Sequence, residues 1–186
     1  MDLAKIEAAV ASIIKALGED PTREGLIGTP HRVAEMYQEL FSGLDMDPAR
    51  ELEVGFEEGF HEMVILRDIP FYSVCEHHFL PFFGVAHIGY MPNGRVVGAS
   101  KIARALEILA KRPQIQERLT AQMADLIQQT LRPQGVAVVI RAEHLCISMR
   151  GVRKPGTLIV TSATKGKFEA SAATRSEFLA LVQGRE

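Results

Sequence analysis

Residues 63–90 read MVILRDIPFYSVCEHHFLPFFGVAHIGY, and this stretch decides the fold. Met63–Asp68, Phe71–Val74 and Val85–Tyr90 are short and rich in β-branched and aromatic side chains. Such residues fit a pleated, half-buried surface, so the spacing predicts strands. Pro92-Asn93-Gly94 is a turn signal between Ala86–Met91 and Arg95–Val97, which predicts a hairpin. Further out, Val136–Ala142, Leu145–Met149 and Leu158–Ser162 read as strands too. Two helices separate the strand groups. One starts at the capping residue Ser100 and runs to about Lys111. The other starts near Pro113 and carries Ile115, Leu119, Met123, Leu126, Ile127 and Leu131 on one face.

The flanks are helical. Leu3, Ile6, Val10, Ile13, Ile14 and Leu17 fall at helical spacing, and Gly18 supplies a stop. Thr29-Pro30 offers a capping hydroxyl and then proline in a first turn. A last helix is expected from about Thr174 to Val182. Asp45–Gly59 reads as a connection. Paired strands with segregated helices argue for an α+β fold with an antiparallel sheet. The expected division is an N-terminal helical region, 1–60, and a sheet-bearing domain, 61–186.

The chain has 186 residues, 21 of them Lys or Arg and 23 Asp or Glu, for a net charge of −2. That balance disfavours a nucleic-acid binder, which needs excess positive charge to neutralise phosphates. The N-terminus lacks a basic segment followed by an apolar run, so no signal peptide is expected. No apolar run approaches a membrane span. A cytoplasmic setting, where thiols stay reduced, follows as the expectation.

Only two cysteines stand against six histidines. Cys75 opens Cys75-Glu76-His77-His78, and Cys146 closes His144-Leu145-Cys146. Thiolate with imidazole suits zinc. The distance between the motifs is wrong for a zinc finger, and ligands so far apart need a preformed fold. Two cysteines and two histidines would make a closed structural site. Two cysteines and one histidine would leave a position for water. Spacing decides neither that question nor which of His77 and His78 is a ligand. On a strand, His144 and Cys146 would share a face.

Ser100-Lys101-Ile102-Ala103-Arg104 opens a helix, where backbone N–H groups and two cations attract anions. Arg141, Arg150, Arg153 and Arg32 add positive charge near the other motifs. In a chain of net negative charge this points to a local anionic ligand. Gln116-Glu117 contributes a carboxylate able to accept two parallel hydrogen bonds from a donor–donor edge such as that of guanine.

Taken together, these stretches resemble the zinc-dependent GTP cyclohydrolase I family. The matching segments are Thr29-Pro30-His31-Arg32-Val33-Ala34, Cys75-Glu76-His77-His78, Ser100-Lys101-Ile102-Ala103-Arg104, Gln114-Ile115-Gln116-Glu117-Arg118-Leu119-Thr120 and His144-Leu145-Cys146 leading to Arg150-Gly151. The likeness runs from about residue 20 to the C-terminus. Ala99 departs from the leucine more usual before the Ser-Lys pair. The resemblance implies a tunnelling fold and a toroidal homodecamer whose neighbouring subunits complete each active site. It implies hydrolytic opening of the guanine imidazole ring of GTP, release of formate and formation of 7,8-dihydroneopterin triphosphate, a first step of folate and pterin biosynthesis. By motif, Cys75, His78 and Cys146 would bind Zn2+, and His77 and His144 would be catalytic non-ligands. Glu117, with backbone near Gln116, would hold guanine. Ser100, Lys101, Arg104, Arg150 and Arg32 would meet the triphosphate.

Overall fold

The computed structural model describes residues 1–183. The chain divides into two compact units, Met1–Ser42 and Gly43–Glu186. In the first, helices α1 (Leu3–Ala16) and α2 (Thr29–Leu40) pack together and bury Ile14 and Ala34. Asp2 caps α1 by accepting the Lys5 N–H at 3.1 Å. His31 Nδ1 on α2 lies 2.9 Å from Glu7 Oε1 on α1. The Thr29 hydroxyl does not cap α2, contrary to the sequence reading. Thr29 is itself the first helical residue, and its hydroxyl accepts from Arg32 Nη2 at 2.9 Å.

The second unit runs α3 (Ala49–Leu52), β1 (Gly55–Phe60), β2 (Val64–Cys75), β3 (Pro81–Met91), β4 (Gly94–Val97) and α4 (Ala99–Ala110). It continues with β5 (Pro113–Gln114), α5 (Gln116–Leu131), β6 (Gly135–His144), α6 (Leu145–Ser148), β7 (Leu158–Gly166), α7 (Lys167–Ala170) and α8 (Ala172–Gln183). Five strands form one sheet in the order β5-β2-β3-β6-β7, antiparallel except for the short β5–β2 contact.

Alternation explains the layers. Phe82, Ala86, Ile88 and Tyr90 of β3 lie beside Val136, Val138, Ile140 and Ala142 of β6 on one face. These side chains form one core with Ile102, Leu106 and Leu109 of α4 and Leu119, Met123 and Ile127 of α5. Each such burial stabilises by roughly 1.5–3 kcal/mol, so the helix pair is fixed to this face. On the other face Ala137 and Val139 meet Phe168 of α7 and Phe178 and Val182 of α8. The result is α+β, an antiparallel sheet with paired helices, as the tunnelling fold implies. Among the described residues no helix is long and apolar enough to cross a membrane.

Four local expectations change. Met63–Asp68 and Phe71–Val74 are parts of a single strand, bent by a bulge. Leu66 pairs with Ile88 and Ile69 with Ala86, so β2 carries one extra residue there. Asp68 takes up the bend in the left-handed region at φ 57°. The hairpin after Pro92 does not form, because β3 is already paired on one edge by β2 and on the other by β6. β4 instead pairs with β1, a strand within the stretch read as a connection. Leu145–Met149 is not a strand but a helical turn. His144 is the last β6 residue with a partner on β3, so the chain beyond it has no β3 ladder to continue. Ser100 is not a cap either, since α4 begins one residue earlier.

Candidate active site

The site grows from the β2–β3 connection. Cys75 O accepts from Phe79 N–H at 2.8 Å and from His78 N–H at 3.4 Å, forming one helical turn. Phe79, at φ 52°, turns the chain back so that Cys75 N–H reaches Leu80 O at 2.9 Å. One helical turn sets residues three apart on the same side, which brings His78 over Cys75. The β6–α6 junction supplies Cys146. The ligand atoms of Cys75, His78 and Cys146 all lie within 4.8 Å of one another. Tetrahedral zinc bonds of about 2.0–2.3 Å separate ligand atoms by roughly 3.5–3.8 Å, so small side-chain adjustments close the set.

Both cysteines are free thiols. Burial pushes the Cys146 thiol up, and the neighbouring Cys75 adds to the effect. A divalent cation held between the two sulfur atoms would stabilise both as thiolates. The donor set is consistent with zinc.

A second framework comes from the short parallel contact. Cys75 pairs with Gln114, and Glu76 N–H donates to Gln114 O at 2.9 Å. α5 therefore starts beside the cysteine loop with Gln116, Glu117 and Arg118 in its first turn. Arg118 grips Glu76 through both guanidinium ends, with Nη2 donating to Oε1 at 2.9 Å. The hydrogen bonds from Arg118 hold the Glu76 carboxyl below its usual range.

His144 stands opposite Phe82 in the sheet register and stacks on its ring at 4.6 Å, with 9° between the planes. It is buried, and burial lowers its pKa, with the Glu117 charge opposing. Its Nε2 lies 2.8 Å from Gln116 Oε1. A cavity of about 190 Å³ is lined by Cys75, His77, His78, Glu117, His144 and Cys146, among others. Two larger cavities, of about 320 and 480 Å³, contain none of these residues. Chemistry rather than volume marks the site.

The GTP cyclohydrolase I family model matches residues 6–183. The chain belongs to the GTP cyclohydrolase I family. GTP cyclohydrolase 1 of Dehalococcoides mccartyi is 62% identical over 180 residues, covering 96% of this chain and 95% of that protein. The enzyme of the same name from Carboxydothermus hydrogenoformans is 57% identical, covering 98% and 95%. That of a Geobacillus species is 55% identical, covering 97% and 96%. A crystal structure of an archaeosine synthase QueF-Like in the apo form aligns with a TM-score of 0.43 at 17% identity, over 56% of this chain and 93% of that one.

Not every residue expected in a GTP cyclohydrolase I site gathers at the cavity. Lys101 Nζ pairs with Glu51 Oε2 at 3.1 Å, and Arg104 Nη1 lies 3.9 Å from the same oxygen. Ser100 is exposed in the first turn of α4. None of the three lines the cysteine–histidine cavity. Arg150 is exposed after α6, near enough for its charge to favour the Cys146 thiolate. Arg32 belongs to the first unit, where it bonds Thr29. Sequence reasoning gave no role to Glu51, Thr161 or the Glu76–Arg118 pair. Arg118 sits inside the GTP cyclohydrolase I motif, but nothing in one sequence marks its partner.

Proposed function

We propose that the chain is a zinc-dependent GTP cyclohydrolase I that opens the imidazole ring of guanine, releases formate and forms 7,8-dihydroneopterin triphosphate. The observation that carries this reading is the convergence of two thiols and an imidazole with two further histidines and a carboxylate around one cavity. Cys75, His78 and Cys146 would hold the metal. Zinc held there supplies Lewis acidity, which brings the ionisation of water toward neutral pH.

The other residues bind and move protons. Glu117 accepts hydrogen bonds from the ring N–H and exocyclic amine of guanine. Opening the ring needs water added at purine C8, which a proton at N7 makes easier, and freeing formate takes a second water, because both C8–N bonds must break. His144 delivers a proton at N7, and His77 assists in proton transfer. Ser100, Lys101, Arg104, Arg150 and Arg32 anchor the triphosphate. A grip on that non-reacting group positions the purine for attack.

The active unit in this reading is a homo-oligomer, a decamer in which neighbouring subunits complete each site. Ligand pockets commonly measure about 300–1,000 Å³. The cavity of about 190 Å³ is small for a whole nucleotide, and the α4 cations do not line it. A second subunit would supply what one chain lacks. The cysteine ligands require a reducing compartment, which favours the cytoplasm.

Incubation of zinc-loaded protein with GTP, followed by oxidation, is expected to give pterin fluorescence. Folded, zinc-loaded protein that yields no pterin would sink the reading and leave a structural metal module or a binder of another purine.

A further inference from the structure

We infer that Gln116 is a positioning residue for His144: it fixes the imidazole as the Nε2–H tautomer and leaves Nδ1 as the nitrogen that exchanges protons. The inference rests on the acid–base role proposed for His144 and adds which atom performs it.

A buried hydrogen-bond chain around Gln116 has a fixed polarity. Gln116 is 1% exposed. One end of its amide faces Ile140 O at 3.1 Å and Ile159 O at 3.0 Å. Backbone carbonyls only accept, so this end must be the NH2 group. The opposite end, facing His144 Nε2 at 2.8 Å, is then the carbonyl oxygen. That oxygen has no proton to give, so the proton between the two atoms belongs to the histidine.

The hydroxyls lock the same polarity independently. Thr120 Oγ1 donates to Gln116 O at 2.7 Å. Its single proton is thereby used, and it accepts from the Thr161 hydroxyl at 2.6 Å. Thr161 Oγ1 in turn accepts from Gln116 Nε2 at 3.1 Å. Turning the amide over would set its oxygen against two carbonyls, leaving buried groups unpaired at about 1–3 kcal/mol each. The stack on Phe82 holds the ring plane while Gln116 holds its edge.

The consequence is specific. Both amide hydrogens of Gln116 are committed to protein acceptors, so its side chain has no donor for guanine. Any contact it makes with the substrate is through its backbone. At His144, Nδ1 carries a lone pair in the neutral ring. It is the ring nitrogen left free to meet the purine, while the Nε2–H bond to Gln116 stays intact. The partner that fixes one ring nitrogen thus decides what the other does.

Nitrogen-15 NMR of histidine-labelled holoprotein tests this directly. At a pH where His144 is neutral, a pyrrole-type signal at Nε2 and a pyridine-type signal at Nδ1 are expected; the reverse pattern overturns the inference. With cadmium-113 in place of zinc, no coupling to His144 is expected. A coupling would make Nδ1 a metal ligand and also overturn it. Gln116→Met should mix the tautomers and lower kcat by about 10- to 100-fold with little change in KM. A raised KM with unchanged kcat would make the side chain a substrate contact instead. If that variant does not fold, the wild-type spectrum still decides. The spectra need no GTP, so failure of the GTP reading is a separate result.

Discussion

A thiol becomes a zinc ligand only by losing its proton, and two thiols side by side resist losing both. Cys75 and Cys146 come together from separate structural elements, with His78 the third donor, where a shared cation would offset that cost. His144 stays beside this set with one nitrogen already taken by Gln116. His144→Ala should therefore keep one zinc per chain and a native circular-dichroism spectrum, yet lose formate release by about 100- to 10,000-fold. Loss of zinc from that variant would make His144 a ligand. A different histidine reports on stability. His87 is buried in β3, where its Nδ1 accepts the Asp68 N–H at 3.2 Å. Burial lowers its pKa, Asp68 opposes, and Arg141 and Arg67 add to the lowering. The folded value thus lies below the unfolded value of about 6.5, and the unfolded chain binds the extra proton. This contribution is full above pH 6.5 and is lost as pH falls toward the folded pKa, by at most about 1.4 kcal/mol per pH unit. Urea midpoints of wild type should drop further between pH 7.5 and 5.5 than those of His87→Gln, which shares the metal site. Parallel curves would refute the account of His87. Cysteine, histidine and carboxylate positions were legible in the sequence because few side chains can do their chemistry. Arg118, Glu51 and Thr161 were not, because their roles lie in partners that only folding supplies.

At the scale of elements, the cysteine loop and the first turn of α5 act as one device. The Cys75–Gln114 bridge sets them side by side, and Glu76–Arg118 ties them from the other direction. Glu76 lies directly between a proposed metal ligand and His77, and Arg118 directly after the proposed guanine carboxylate. Groups that hold ligands in place typically govern 10- to 100-fold in metal affinity or activity. Arg118→Ala should weaken zinc binding by about that factor in a chelator competition, and Arg118→Lys should restore part of it. Unchanged zinc affinity in Arg118→Ala would show the pair to be ornamental. The two strand errors have a common physical origin. Whether Arg95–Val97 pairs with β3 depends on which edges of β3 are free, and both were taken by more distant strands. Whether Leu145–Met149 stays extended depends on a partner strand that has already turned away. Alternation of apolar residues shows that a segment is half-buried, but it does not show what lies beside it. The helices with long stripes were legible because their pattern needs only a core, not a named neighbour.

At the scale of the whole molecule, the sheet is unfinished. Among the described residues, β7 pairs only with β6, and β5 covers β2 only at Val74–Cys75. β7 also exposes Leu158 and Val160. Open edges of this kind invite pairing with another chain. Sedimentation velocity of wild type should show a decamer, and Leu158→Lys with Val160→Lys should shift it toward smaller species. A wild-type monomer that turns over GTP would contradict the shared-site reading. The assembly is the least legible level, since one sequence carries no signal for which edge meets which. GTP labelled with carbon-13 at C8 follows the one atom whose fate defines the reaction. With zinc-loaded protein, the label should appear quantitatively as formate in the NMR spectrum as the purine C8 signal disappears. A label that remains in an intact purine ring while the protein is folded and metal-loaded would contradict the account.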